Sequence, residues 1–407
     1  MKCRHCTKPL KHTFLDLGFA PPSNAYLTGG DLVKPEKYYP LKVMVCDQCW
    51  LVQTEDYAQA DDLFNAEYAY FSSTSTGWLV HAKNYAEKMT QRLSLSKDSL
   101  VIEVASNDGY LLKNFIAAGI PCLGIEPTAS TAAAAEQLGI PVLREFFGEQ
   151  LGKQLANIGK QADLIAGNNV YAHVPDINDF TRGLKAVLKD TGTITLEFPH
   201  FMRLIENTQF DTVYHEHFSY LSLFTVERIF KAAGLRVWDV EELITHGGSL
   251  RIYGCHADDS REITPAVSAI IAEEARRGLQ TLVTYQNFQA KADCVKDDLL
   301  AFLIEQKRAG KKVAAYGAAA KGNTLLNYAG VRPDLLPFVC DAAAAKQGKF
   351  MPGSHIPILG QAVLAEQRPD YLVILPWNIA TEVKQQNARL AELGTKFVTA
   401  VPKLEIL

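Results

Sequence analysis

Apolar positions in this chain of 407 residues change their spacing several times. From residue 100 onward, short apolar runs at 100–104, 121–125, 162–170, 192–199, 235–240 and 249–253 are bounded by turn-forming or polar residues. Runs of that length, separated by stretches of helical spacing, predict buried strands of a doubly wound α/β sheet. The last two are placed to form an antiparallel hairpin. Between 260 and 310 the spacing becomes helical, as at 269–275 and 298–304, and predicts long connecting helices. A second series of strand, loop and helix follows at 311–324, 337–341 and 371–378. The expected fold class is α/β in three parts. These are an N-terminal zinc-binding module at 1–65, a central Rossmann-like domain at 66–257, and a second Rossmann-like domain at 258–407 that includes the linking helices.

The N-terminal part owes its zinc assignment to Cys3-x-x-Cys6 and Cys46-x-x-Cys49. Each pair forms a tight knuckle, and two knuckles complete a tetrahedral S4 site with no open position, so the metal is expected to be structural. A segment this short could hardly hold a core without such a staple. His5 and His12 are alternative ligands, and a redox pair is the competing reading. The loop between the pairs contains Ala20-Pro21-Pro22-Ser23-Asn24, a turn and contact segment. Cys122, Cys255, Cys294 and Cys340 stand singly and are expected to be core thiols.

In the central part, strand 100–104 runs into Ala105-Ser106-Asn107-Asp108-Gly109 and then a helical segment. Such a turn suits a ligand that approaches the backbone closely. The next strand ends in Glu126, a carboxylate able to bind both hydroxyls of an adenosine ribose. The strand at 162–170 ends in the amides Asn168 and Asn169. A dinucleotide and S-adenosylmethionine both fit. The turn has one glycine rather than G-x-G-x-x-G, and a methyl donor needs no pyrophosphate cradle, so the second is favoured. In the C-terminal part, Gly317-Ala-Ala-Ala-Lys321-Gly322 combines backbone amides with a cation at a helix start, which suits a phosphate. It is not a Walker A loop.

The densest chemistry lies in Val213-Tyr214-His215-Glu216-His217-Phe218-Ser219-Tyr220. Two imidazoles and a carboxylate among apolar residues point to proton transfer. His-x-His on one face of a strand could instead bind a metal, and a satisfied structural cluster is the third reading. The zinc-protease pattern H-E-x-x-H is absent.

Bulk properties narrow the partners. The formal net charge is −4 and the charged fraction 21%, with no Lys/Arg block, so no nucleic acid partner is expected. No apolar run approaches the roughly 18 residues of a membrane helix, and nothing at the start resembles a signal peptide. A cytoplasmic protein without membrane contact is expected, its cysteines reduced or metal-bound.

Over nearly its whole length the chain resembles the S-adenosylmethionine-dependent C-methyltransferases of nucleotide-linked deoxysugars, of the C-3 methyltransferase type. The resemblance rests on the paired cysteines, Tyr68-Ala-Tyr70-Phe-Ser-Ser-Thr-Ser75, Glu103-Val-Ala-Ser-Asn-Asp108-Gly109, Asn168-Asn-Val-Tyr-Ala-His173, Tyr214-His-Glu-His217, Gly247-Gly248-Ser249-Leu-Arg251, Tyr316-Gly-Ala-Ala-Ala-Lys321-Gly322 and Lys346-Gln-Gly-Lys349. The family's turn usually has glycine where Ala105 stands. The resemblance implies methyl transfer to C-3 of a 4-keto sugar, commonly carried by thymidine diphosphate (dTDP). His217 would be the base, Glu216 its orienting or polarising partner, and Tyr214, His173 and Tyr68 contacts to the sugar or its enolate. Tyr70 is a rival to Tyr68. Glu103, Asn107, Gly109, Glu126 and Asn168 would hold S-adenosylmethionine, Lys321 and Lys349 the diphosphate, and the four cysteines the zinc. His215 is expected to point away from the sugar. Sugar O-methylation, nicotinamide-dependent sugar oxidation and a zinc-dependent binding role are the competing functions.

Overall fold

The computed structural model describes residues 1–55 and 71–407; Tyr68 and Tyr70 lie outside them. Three sheets organise the described chain. In the central sheet the strand order is Leu235–Leu243, Ser249–His256, Leu188–Pro199, Ala162–Asn168, Val101–Val104, Cys122–Ile125 and Val142–Leu143. The five strands from Leu188–Pro199 onward in that order are parallel, while Ser249–His256 runs antiparallel to both neighbours. The hairpin expected from the sequence is thus present, and its second strand inserts between the first and the rest of the sheet. Val101–Val104 is buried at every position, as a central parallel strand covered on both faces must be. Its chain reversals to neighbouring strands place residues 105–109, Glu126, Asn168 and Pro199 along one edge, the carboxyl ends where doubly wound sheets bind ligands.

The C-terminal sheet has the order Ile358–Leu359, Val339–Cys340, Val313–Tyr316, Tyr371–Ile374, Lys396–Thr399 and Glu405–Ile406. All pairs are parallel except the last. Helices Pro265–Arg276, Leu282–Gln286 and Phe288–Arg308 connect the two α/β parts, the long stretch being broken near Gly278 and Asn287.

The small N-terminal sheet is antiparallel: His12–Ala20, Tyr39–Val45, Val52–Thr54 and, as its fourth strand, Ser219–Tyr220. The last strand comes from the central part of the chain, so the segment after His217 is an edge of the zinc-binding sheet. Phe14, Leu15 and Val43 of this sheet pack in one apolar cluster with Phe201, Tyr285, Phe288 and Val313. Cys122, Cys255 and Cys340 are buried as expected, whereas Cys294 is exposed: it lies on a solvent-facing position of Phe288–Arg308. Among the described residues no helix is long and apolar enough to cross a membrane.

Candidate active site

The Sγ atoms of Cys3, Cys6, Cys46 and Cys49 all lie within 4.8 Å of one another. A tetrahedral Zn–S4 centre with bonds of about 2.3 Å needs sulfurs at about this spacing. Three of the four residues are buried. His5 and His12 are engaged elsewhere: His5 Nδ1 is 2.8 Å from Asn178 Oδ1, and His12 Nε2 is 3.2 Å from Asp47 Oδ2. The donor set therefore fits a closed, structural zinc site made of thiolates alone.

Residues 214–217 form a turn rather than a strand, closed by a hydrogen bond from His217 N to Tyr214 O of 2.9 Å. Phe218 N then donates to Ala172 O, and Thr54 N to Phe218 O, before the pairing of Ser219 with Gln53 begins. The turn separates the two histidines. His215 Nε2 reaches Pro40 O at 3.2 Å and its ring meets Tyr39 edge-on, so it faces the N-terminal sheet. The turn, not strand alternation, sets this direction. His217 is buried, with Nδ1 2.9 Å from Thr212 O. A carbonyl can only accept, so Nδ1 carries the proton and Nε2 presents its lone pair. Burial depresses the His217 pKa well below 6.5, reinforced by His173, His246 and Lys321, and the ring is neutral at physiological pH.

Around His217 stand the Tyr214 ring at 4.0 Å between centroids and the His173 ring at 4.6 Å, edge-on. Burial lowers the His173 pKa to about 4. At Nδ1 the orienting position expected for Glu216 is held by the Thr212 carbonyl. Glu216 is itself buried and accepts a 2.7 Å bond from Asn24 Nδ2, which brings the Pro21–Asn24 loop to the site.

At the sheet edge, Glu126 accepts from Asn107 N and Thr128 N, each at 2.9 Å. Asn107 Oδ1 and Asp108 Oδ2 accept from Ser72 N and Ser73 N. Gly109 has φ +78°, and a Cβ there would lie 2.4 Å from Ile140 Cδ1, so its missing side chain serves packing as well as the turn. Burial raises the Glu103 carboxyl well above its usual range, with Tyr110 opposing. Unused capacity is concentrated along this edge: Asn168 Oδ1 and Nδ2, Ser106 Oγ and Asp108 Oδ1 are buried without hydrogen-bond partners among the described residues. Acceptors, an amide and carboxylic side chains together fit a ligand with hydroxyl, amino and cationic groups, as S-adenosylmethionine has.

Lys321 Nζ donates to Asn378 Oδ1 at 2.7 Å and sits 4.6 Å over the Trp377 ring. Lys346 also reaches this loop: its Nζ donates to Ala318 O at 2.8 Å. Lys349 contributes backbone bonds to Lys346 and Ile358.

Two groups escaped the sequence reading. Glu197, fully buried at the end of its strand, binds His81 Nε2 at 2.9 Å, Arg251 Nη2 at 2.7 Å and Thr245 Oγ1 at 3.0 Å. Burial alone would raise its carboxyl, but His81 and Arg251 hold it below the usual range. His246, at φ +53°, has Nε2 3.0 Å from Asn169 Nδ2, and burial lowers its pKa to about 4. A lone acid ending an apolar run was the available signal for Glu197. His246 had none beyond the adjoining Gly247-Gly248.

Comparison with known proteins gives three matches to family models: "Putative zinc binding domain" at residues 3–64, "Methyltransferase domain" at 78–240 and "C-methyltransferase C-terminal domain" at 244–402. C-methyltransferase NovU of Streptomyces niveus is 32% identical over 406 residues, spanning 100% of this chain and 96% of that protein. Among solved structures, an S-adenosylmethionine-dependent methyltransferase of Clostridium acetobutylicum aligns with 44% of this chain and 92% of its own (TM-score 0.35, 10% identity). Magnesium protoporphyrin IX methyltransferase of Synechocystis, solved with bound SAH, aligns with 44% of this chain and 83% of its own (TM-score 0.35, 13% identity).

Proposed function

Because the chain belongs to the zinc-binding, S-adenosylmethionine-dependent C-methyltransferases, we propose that it methylates C-3 of a nucleotide-linked, dTDP-type 4-keto-deoxysugar. The reading rests on one observation above all. His217 is neutral, its Nδ1–H is fixed on Thr212 O, and Nε2 has no hydrogen-bond partner among the described residues. That is the state a general base needs.

The C-3 hydrogen is acidic because it is α to the C-4 ketone. His217 Nε2 takes this proton, and the C–H electron pair passes into the C-3/C-4 enolate. S-adenosylmethionine supplies the electrophilic methyl group on sulfonium. Held at the sheet edge, the donor would give its methyl carbon to C-3, the S–CH3 bonding pair staying with sulfur. Tyr214 and His173, packed on the His217 ring, are the proposed hydrogen-bond contacts to the sugar, and Tyr68 is proposed for the same role. Glu216, fixed by Asn24, sets the negative side of the pocket. Glu103, Asn107, Gly109, Glu126 and Asn168 are the proposed cofactor contacts. Lys321 and Lys349 are the proposed diphosphate contacts, with Lys346 at the same loop. The thymidine carrier and the C-3 position follow the resemblance of the motifs.

The test is incubation with labelled S-adenosylmethionine and a dTDP-4-keto-deoxysugar, followed by mass spectrometry and NMR location of the methyl carbon. The expected product carries the label on carbon α to the ketone. Without the donor, deuterium from solvent should exchange into that carbon. His217→Asn should abolish both transfer and exchange while S-adenosylmethionine still binds. Equal methylation of the reduced 4-hydroxy sugar would replace this reading with O-methylation.

A further inference from the structure

Arg4 lies inside the first zinc knuckle, between Cys3 and Cys6, yet its side chain leaves the metal module. Its Nη1 donates to Pro175 O at 2.7 Å and its Nη2 to Thr54 O at 3.0 Å. The guanidinium lies 5.3 Å over the Phe218 ring. Pro175 is two residues after His173, and Phe218 is the residue after His217. Thr54 completes the link, since its Oγ1 donates to His217 O at 3.3 Å and its N to Phe218 O at 3.2 Å. The knuckle grips the same loop a second time. Asn178 Nδ2 donates to Arg4 O at 3.2 Å and His5 O at 2.9 Å, with His5 Nδ1 on its Oδ1. Arg4 N in turn donates to Gln53 Oε1, and Gln53 Nε2 donates to Cys3 Sγ at 3.2 Å.

We propose that Arg4 is a positioning residue for methyl transfer: from the zinc knuckle it holds the His173 loop and the exit of the His217 turn in register, and so fixes where the base meets the sugar. The proposal rests on His217 acting as the base. Two carbonyls and an aromatic face are engaged by one rigid, delocalised cation. Lysine, a point charge on a flexible stem, cannot reproduce that fork. The two imidazoles stand 4.6 Å apart between separate loops, and Phe218 N to Ala172 O is the direct backbone bond joining those loops beside them. A small shift of either loop moves Nε2 relative to C-3, and reaction rate is steeply sensitive to such displacement.

The experiment compares Arg4→Met, Arg4→Lys and Asn178→Ala with the parent and with His217→Asn. Each is assayed for zinc content by elemental analysis, S-adenosylmethionine affinity by calorimetry, kcat and KM, and solvent-deuterium exchange at the sugar carbon. With zinc and cofactor affinity unchanged, Arg4→Met should lose on the order of 10- to 100-fold in kcat and in exchange rate together, with little change in KM. Arg4→Lys and Asn178→Ala should fall between it and the parent. Full kcat and exchange in zinc-loaded Arg4→Met overturns the proposal. Should Arg4→Met lose zinc or fail to fold, parental rates in both of the other two variants overturn it equally. Exchange surviving in His217→Asn removes the base reading instead, and is distinguished from the other outcomes by that control.

Discussion

At Ala105 the backbone adopts φ +57°, and at Asn107 φ +49°. Asparagine tolerates this region, but a Cβ-bearing alanine there costs about 1–2 kcal/mol. The strain falls in the turn at the carboxyl edge of the sheet, the proposed cofactor side, and stored strain is typical of ligand sites. Ala105→Gly relieves it and gives back part through the freer unfolded chain. The expected net gain is about 0.5–1 kcal/mol, seen as a higher melting temperature with S-adenosylmethionine affinity unchanged. A lower melting temperature would show that the methyl group makes a needed contact. His217 carries the second prediction at this scale. As the proposed base, with a pKa well below 6.5, it is already deprotonated at neutral pH. The acid limb of kcat/KM against pH should therefore lie below 6.5, with no decline on going from neutral pH to that value. An ordinary histidine would lose half its rate at 6.5.

Glu274 shows how one side chain fixes an element. It is fully buried on helix Pro265–Arg276, accepts from His200 Nε2 at 2.7 Å, and takes Leu223 N at 2.6 Å and Phe224 N at 2.9 Å from the first turn of helix Leu223–Ala232. Glu274→Ala would strand an imidazole and two helix-end amides, a loss of about 3 kcal/mol by thermal or urea denaturation. No periodicity in the sequence pointed to this contact, because a buried acid inside a helical pattern looks the same as an exposed one. The strand series of both α/β parts was legible, since runs such as 100–104 and 371–375 have no solvent-facing alternation. The cysteine spacing likewise announced its own geometry. The turn at 214–217 was not legible as a turn: it lacks Gly, Pro and Asn, and it is held by Ala172 O, Thr212 O and Thr54, all distant in sequence or invisible in it. Lys346 at the Ala318 loop was not singled out for a similar reason, since spacing alone does not show which lysine turns inward.

For the whole molecule, titration of the desolvated histidines links the site to stability. His173 and His246 have folded pKa values of about 4 against 6.5 unfolded, and His217 is also depressed. The charges near them are Lys321, which disfavours protonation of His217 and His246, and Glu197, which favours it at His246. As pH falls through 6.5 the unfolded chain takes up protons that the folded chain refuses. Stability is thus fully present above 6.5 and is lost progressively toward pH 4, at about 1.4 kcal/mol per pH unit for each such group. Asp211 works the other way. Burial raises its pKa to about 6 from 3.8 and lifts Glu103 well above its usual range as well, so the folded state binds those protons first and offsets part of the histidine loss. The melting temperature should therefore hold above pH 6.5 and drop between 6.5 and 4. Acid also protonates the zinc thiolates, which would produce a fall of its own. His246→Asn separates the two causes, because it keeps the cysteines and tolerates φ +53° while removing one titrating ring. That variant should lose less stability than the parent between pH 6.5 and 4, and an identical fall in both would assign the acid sensitivity to the metal site.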